Sequence, residues 1–192
     1  MRAVLGILMI VATAACSEAS QETEAPVVVM ETSKGTIHIE LYPEEAPITV
    51  ENFLAYVDSG FYDGLSFHRV VPGFVIQGGG FEEDMVKREP TRPAIQNESD
   101  NGLKNLRGTL SMARLPSAHS ATSQFFVNLV DNPALDHGGR PGQTWGYAVF
   151  GRVVDGMGVI DEIGQVRTGQ KAGMGDVPVE PVLIIRAYRD DS

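Results

Sequence analysis

The chain has 192 residues, 43% hydrophobic and 21% charged, a balance that fits one globular domain and excludes a disordered chain. Fifteen Lys and Arg stand against 25 Asp and Glu, a formal charge of −10, and so acidic a surface excludes nucleic acid as a partner. A single cysteine excludes an internal disulfide.

Residues 1–15 read as a signal peptide. Arg2 supplies a short positive start, Ala3 to Val11 an apolar core, and Thr13-Ala14-Ala15 small residues before Cys16. The apolar run is too short for a permanent membrane span. A cysteine directly after small residues resembles a bacterial lipobox, although Thr13 departs from the leucine usual there. In that reading Cys16 becomes the acylated first residue of the mature chain. Cleavage after Ala14, with Ala12-Thr13-Ala14 as the recognition site, is the alternative. Residues 16–26 then form the anchor and a polar, acidic tether, whose ten residues from Ser17 to Pro26 would average roughly 17 Å end to end.

From Val27 to the end at residue 192 the pattern is that of one folded domain dominated by strands. Val27 to Met30 is β-branched, Ser33-Lys34-Gly35 is a turn, and Thr36 to Leu41 alternates, which predicts an opening hairpin. Ala46 to Ser59 changes to helical spacing through Val50, Phe53, Leu54 and Val57, with Pro47 in the first turn and Gly60 as the stop. Short strands are expected at Leu65 to Val71, Phe74 to Gln77, Gly108 to Ala113, Gln124 to Leu129 and Tyr147 to Val153. A short strand near Ile95 interrupts a long polar loop from Glu82 to Asn105. Met157 to Ile163 reads as a second helix. Val179 to Arg189 reads as the closing strand, with Pro181 at its entry or edge. Many short strands with two helices point to a closed antiparallel barrel, which leaves no exposed edges.

The most informative stretch is FHRVVPGFVIQGGGF, Phe67 to Phe81. It sets Arg69 on an apolar strand, and a permanent cation among phenylalanines and valines is costly to bury without a partner, so it belongs at a surface pocket. No neighbouring acid, base or nucleophile is equipped to break a bond. By alternation Arg69 shares a face with Phe67 and Val71, and Val75 with Gln77; alternation does not decide where Phe74 points. In SQFFVNL, Phe125, Val127 and Leu129 form a core face, while Gln124, Phe126 and Asn128 form the other, which fits a groove on the outer wall.

These segments, with GTLSMAR at Gly108 to Arg114, LDHG, and GYAVFGRVVDGM, resemble the cyclophilins, the peptidyl-prolyl cis-trans isomerases, and most strongly their bacterial periplasmic branch. The resemblance covers Val27 to Arg189. It implies an eight-stranded antiparallel barrel closed by two α-helices, a substrate groove on its outer surface, and no metal or organic cofactor. Carried over by position, Arg69 is the catalytic arginine, with Gln77 and Phe74 in the catalytic group. Phe74, Val75, Phe126 and Leu135 form a proline pocket. Gln77 and Gln124 hold substrate backbone, Ala113 and Arg114 lie on the edge where substrate main chain pairs, and Tyr147 stands where many eukaryotic members have a pocket histidine. The implied partners are unfolded or extended polypeptides containing proline, met by a monomer in the periplasm. The lipid on Cys16 would tether it to a membrane, with Ser17 after the cysteine favouring the outer one.

Other residue types invite other readings. A proline-peptide binding module would not require a donor such as Arg69 together with both glutamines. Ser120, Ser123 and His119 suggest a hydrolase, but no nucleophile-elbow pattern surrounds either serine. Asp136-His137 sits in a glycine-rich turn and reads as structural, as does His68, which alternates away from Arg69. Ala134 departs from the tryptophan with which many eukaryotic cyclophilins bind cyclosporin, so weak binding of that drug is expected. The loop Gly138 to Thr144 looks longer than in relatives and brings Trp145 to the same side as Tyr147, at the groove's rim or packed beneath it.

Overall fold

The computed structural model describes residues 25–190. The signal peptide, Cys16 and nearly all of the tether lie outside the described residues.

The opening hairpin forms because two alternating segments share one inward face. Strands β1 (Val27–Thr32) and β2 (Gly35–Leu41) pair antiparallel with Val28 opposite Ile39 and Met30 opposite Ile37. Those four side chains are fully buried. Helix α1 (Pro47–Asp58) follows with proline in its first turn, and its first free N–H groups find a distant acceptor. Glu98 accepts from the Ile48 and Thr49 amides at 3.1 and 2.8 Å and from Thr49 Oγ1 at 2.6 Å. Its negative charge also suits the positive end of the helix dipole.

The expected strand from Leu65 to Val71 is split into β3 (Leu65–Ser66) and β4 (Arg69–Val71). The split lets one segment serve two neighbours. Ser66 bridges Leu183, and Phe67 N–H donates to the Val182 carbonyl at 2.9 Å, while Arg69 to Val71 pair with β5 (Val75–Gly78). The break also corrects the expected alternation. Phe67 enters the barrel core, fully buried, whereas Arg69 faces the outer groove.

The remaining strands are β6 (Phe81–Glu82), β7 (Thr109–Met112), β8 (Phe125–Asn128), β9 (Val149–Asp155), β10 (Thr168–Lys171), β11 (Met174–Pro178) and β12 (Ile184–Arg189). The main sheet runs β12-β1-β2-β9-β7-β8-β5-β4, eight strands in all, and every pairing in it is antiparallel. The bonds from residues 64–67 to residues 182–184 draw its two ends together and close the barrel. Helix α2 (Met157–Gly164) buries Ile160 and Ile163 in the core that Phe53, Tyr56 and Val57 of α1 enter from their own side. Phe53 packs 5.3, 5.6 and 5.1 Å from the rings of Tyr62, Phe125 and Phe150.

Three elements differ from the sequence pattern. Near Ile95 there is one bridge, to Ala121, rather than a strand. The closing strand begins at Ile184, because residues 179–183 turn past Glu180-Pro181, where proline offers no N–H. The hairpin β10–β11 has no hydrophobic periodicity to announce it, being glycine-rich and mostly exposed.

Candidate active site

Strand pairing builds the site as a row across the sheet. Arg69 on β4 stands opposite Gln77 on β5, Gln77 opposite Phe126 on β8, and Phe126 opposite Ser111 on β7. Residues directly opposite across a sheet point to one face, so arginine, glutamine and phenylalanine emerge together on the outer wall. Phe125 and Val127, one step away in each direction, enter the barrel core.

Val75, Phe126 and Leu135 form a small apolar cluster separate from that core, with Phe74, Ala113 and Tyr147 packed against it. Arg69, Gln77 and Arg114 join these six around a cavity of about 110 Å³. The Phe126 and Tyr147 rings meet edge to face at 5.5 Å. Gln124 does not line this cavity. It bonds Gln77 instead, accepting at Oε1 from Gln77 Nε2 at 3.0 Å, and its side chain faces an adjoining depression. Gly80, three residues after Gln77, makes room for this pair. A Cβ on Gly80 would lie 2.5 Å from the Gln124 amide, and Gly79 adopts a left-handed φ of 82°.

Arg69 is half-exposed at the cavity rim and loosely held. Nη1 lies 3.5 Å from Gln77 Oε1, and Nε lies 3.8 Å from Asp176 Oδ2. Nothing in the sequence pattern singles out Asp176. It sits on β11 where two residues oppose one on β10, a bulge, and its backbone takes a left-handed φ of 61°. Bulges re-aim side chains, and this one turns the carboxylate toward Arg69. No local signal in Met174-Gly175-Asp176 could have paired it with a strand so distant in sequence.

Arg114 proves to be a brace. Its guanidinium donates to the carbonyls of Gly146, Trp145, Leu115 and Pro116 at 2.9, 2.7, 3.0 and 3.3 Å, and lies 4.8 Å from the Tyr147 ring centroid. It locks the 113–116 edge to the 145–147 segment that walls the cavity.

Below the apolar cluster lies a buried amide network, which takes Asn128 out of the groove face. Asn128 Oδ1 accepts from Asn132 Nδ2 at 2.8 Å, and Asn132 Nδ2 also reaches the Phe74 carbonyl at 3.1 Å. Ser111 Oγ donates to Asn105 Oδ1 at 2.8 Å, and Asp136 Oδ1 accepts from the Asn105 amide at 2.8 Å. Tyr147 N–H donates to the Leu135 carbonyl at 2.9 Å. Phe74, Leu135 and Tyr147 are therefore placed by main-chain bonds as well as by packing.

The hydrolase-like residues are otherwise engaged. Ser123 Oγ donates to the Gly79 carbonyl at 2.9 Å, Ser120 Oγ to the Ser117 carbonyl at 2.7 Å, and His119 Nδ1 accepts from the Asn97 amide at 3.0 Å. His68 is buried against Phe81, its Nδ1 without a partner among the described residues. Burial pushes its pKa down to about 4, opposed in part by a bond to the Ser66 backbone and aided by the smaller effect of the Arg69 charge.

The family model for cyclophilin type peptidyl-prolyl cis-trans isomerases matches residues 27–189. The chain belongs to that family. This cyclophilin is 49% identical to peptidyl-prolyl cis-trans isomerase A of Dickeya dadantii over 183 residues, 95% of this chain and 94% of the relative. It is 53% identical to isomerase B of Escherichia coli over 157 residues, 82% of this chain and 95% of that one. Among solved structures, a cyclophilin from Cryptosporidium parvum, crystallised in the presence of the dipeptide Ala-Pro, superposes with a TM-score of 0.70 at 25% identity. The match covers 86% of this chain and 99% of that one. This cyclophilin is a peptidyl-prolyl cis-trans isomerase with the family's mainly β barrel and two capping helices.

Proposed function

We propose that the cavity between Arg69 and Phe126 holds a substrate proline while Arg69 donates to its nitrogen, and that the clients are exported polypeptides whose folding waits on X-Pro rotation. The observation that carries this is a guanidinium at the rim of a small apolar cavity whose described lining holds no carboxylate, imidazole, thiol or serine. Rotation about a peptide bond needs none of these. At the perpendicular geometry resonance is lost, and the prolyl nitrogen gains a localised lone pair. A donor aimed there favours the transition state over either planar form. Phe74, Val75, Phe126 and Leu135 grip the ring. Gln77 and Gln124, bonded to each other, offer their remaining amide groups to substrate backbone, and the 113–114 edge offers its main chain. Exchange spectroscopy on an Ala-Pro peptide tests the reading; no acceleration of exchange by the protein would sink it.

Asp176 holds the Nε end of Arg69 while Gln77 holds Nη1, which leaves Nη2 without a partner among the described residues and free for substrate. The Asp176 and Arg69 side chains are 51% and 38% exposed, so the pair is worth at most about 1 kcal/mol. Asp176→Asn is therefore expected to lower kcat about two- to fivefold with KM and melting temperature unchanged. A fall in melting temperature with kcat intact would make the contact structural only.

The chain is exported and held at the periplasmic face of the outer membrane by acylated Cys16, working as a monomer at the end of a short acidic tether. Supporting this are the apolar leader, the small residues before the single cysteine, and Ser17 after it. Cys16→Ala is expected to move the protein from the membrane fraction to the soluble periplasmic fraction. Unchanged membrane association would remove the lipid anchor.

A further inference from the structure

The segment between Gly138 and Trp145 builds a second depression beside the first cavity. Its volume is about 550 Å³, and it shares two walls, Arg114 and Tyr147, with the site described above. Its other apolar walls are Leu115, Pro116, Ala118 and Trp145. Leu115 is 69% exposed and lines the same depression as Pro116 and Trp145, so its exposed surface is part of an apolar patch rather than isolated.

Trp145 is held in place from several directions. Its carbonyl accepts from Arg114 Nη2 and from Gln143 Nε2, both at 2.7 Å. The loop that leads to it is closed by Gly138 N–H donating to the Thr144 carbonyl at 2.8 Å. The rings of His119 and His137 pack 5.0 and 5.3 Å from the indole, and both are tied down, His119 by the Asn97 amide and His137 at 3.3 Å from Ser99 Oγ. No described residue accepts from the indole N–H. An aromatic surface fixed in advance loses little entropy when a ligand covers it.

We propose that this depression is an accessory subsite for a bulky apolar side chain of the same client, preferentially aromatic, lying within about three residues of the proline. The claim rests on the groove reading of the first cavity. Continuity decides the occupant: the two hollows share walls, and three extended residues span about 10 Å. Chemistry decides its class. Arg114, the one cation lining the depression, already serves four carbonyls and the Tyr147 ring, so it has no fork left for an acidic group. Leu115, Pro116 and the indole remain as an apolar receiving surface, with the indole N–H available to a backbone carbonyl.

Trp145 is the chain's one tryptophan and reports directly on the subsite. The experiment uses an alanine peptide with one central proline and its relatives carrying phenylalanine at each of the three positions on either side. For one position, phenylalanine is expected to raise kcat/KM about tenfold over alanine and to change Trp145 emission on binding. In Leu115→Ser and in Trp145→Ala that tenfold ratio is expected to collapse toward one. Should Trp145→Ala fail to fold, the exposed Leu115 makes Leu115→Ser the deciding variant. A ratio near one at every position, or a ratio that survives in the variants, overturns the subsite. Isomerisation of the all-alanine peptide by the unaltered protein judges the groove reading separately, because that peptide does not need the second depression.

Discussion

Arg69→Ala is expected to lower kcat/KM on an Ala-Pro peptide by about 10²- to 10³-fold while leaving the melting temperature within a degree or two. The two halves of that expectation come from different observations. The structural contribution is small because Arg69 is partly exposed and its two contacts, at 3.5 and 3.8 Å, are long. The catalytic contribution is large because a preorganised charged donor acts where charge develops, with little reorganisation in the reaction itself. Arg69→Lys should recover only part of the loss, since an ammonium keeps the charge but not the planar fork. Full activity in Arg69→Ala would remove the donor mechanism and leave an apolar groove that works by shape alone.

The magnitudes are consistent. Uncatalysed X-Pro exchange takes on the order of 100 s, and bringing it to about 1 ms requires roughly 7 kcal/mol. A donor worth about 3–4 kcal/mol supplies half. The remainder falls to holding the ring in the Phe126 pocket and to the main-chain contacts that fix one side of the bond while the other turns. Arg114 contributes to this indirectly, by clamping the wall behind Tyr147.

Much of the barrel was legible because strand alternation and helical spacing are local. Phe125 and Val127 facing inward and Phe126 outward follow from a period of two, and α1 follows from its apolar spacing and Pro47. The gathering of Arg69, Phe126, Leu135 and Tyr147 around one cavity was not legible from periodicity; it came from the motif resemblance. What escaped depends on contacts between distant segments. The break at Phe67-His68 exists because Ser66 bonds toward Leu183 while Arg69 pairs with Gln77. The β10–β11 hairpin buries too little to leave a pattern, yet it delivers Asp176 to the arginine. The resemblance puts Arg114 on the edge where substrate main chain pairs, but the carbonyl partners of its side chain are set by a loop whose path alternation does not encode.

His68 predicts how the fold responds to acid. In the native state its pKa is about 4, because burial disfavours the cation, whereas an unfolded histidine titrates near 6.5. Between those values the unfolded chain binds the extra proton, so stability is complete above about pH 6.5 and is lost progressively as pH falls to about 4. The gap corresponds to roughly 3 kcal/mol. Asp58 and Asp161 have carboxyls held low by bonds from Arg189 and Arg107, so they give way in more acidic solution. They do so equally in a His68 variant. Denaturant unfolding of wild type and His68→Gln at pH 7 and pH 4.5 isolates the histidine: the wild type should lose about 2–3 kcal/mol more than the variant. Parallel losses, or the His68 resonance titrating near 6.5 in the folded protein, would show that this ring is solvated. Because His68 adjoins Arg69 in the chain, its protonation would also set a second cation beside the donor. Activity of the folded protein should therefore fall only near pH 4, where the native ring takes up its proton, below the pH at which stability begins to decline, and in His68→Gln that step should disappear.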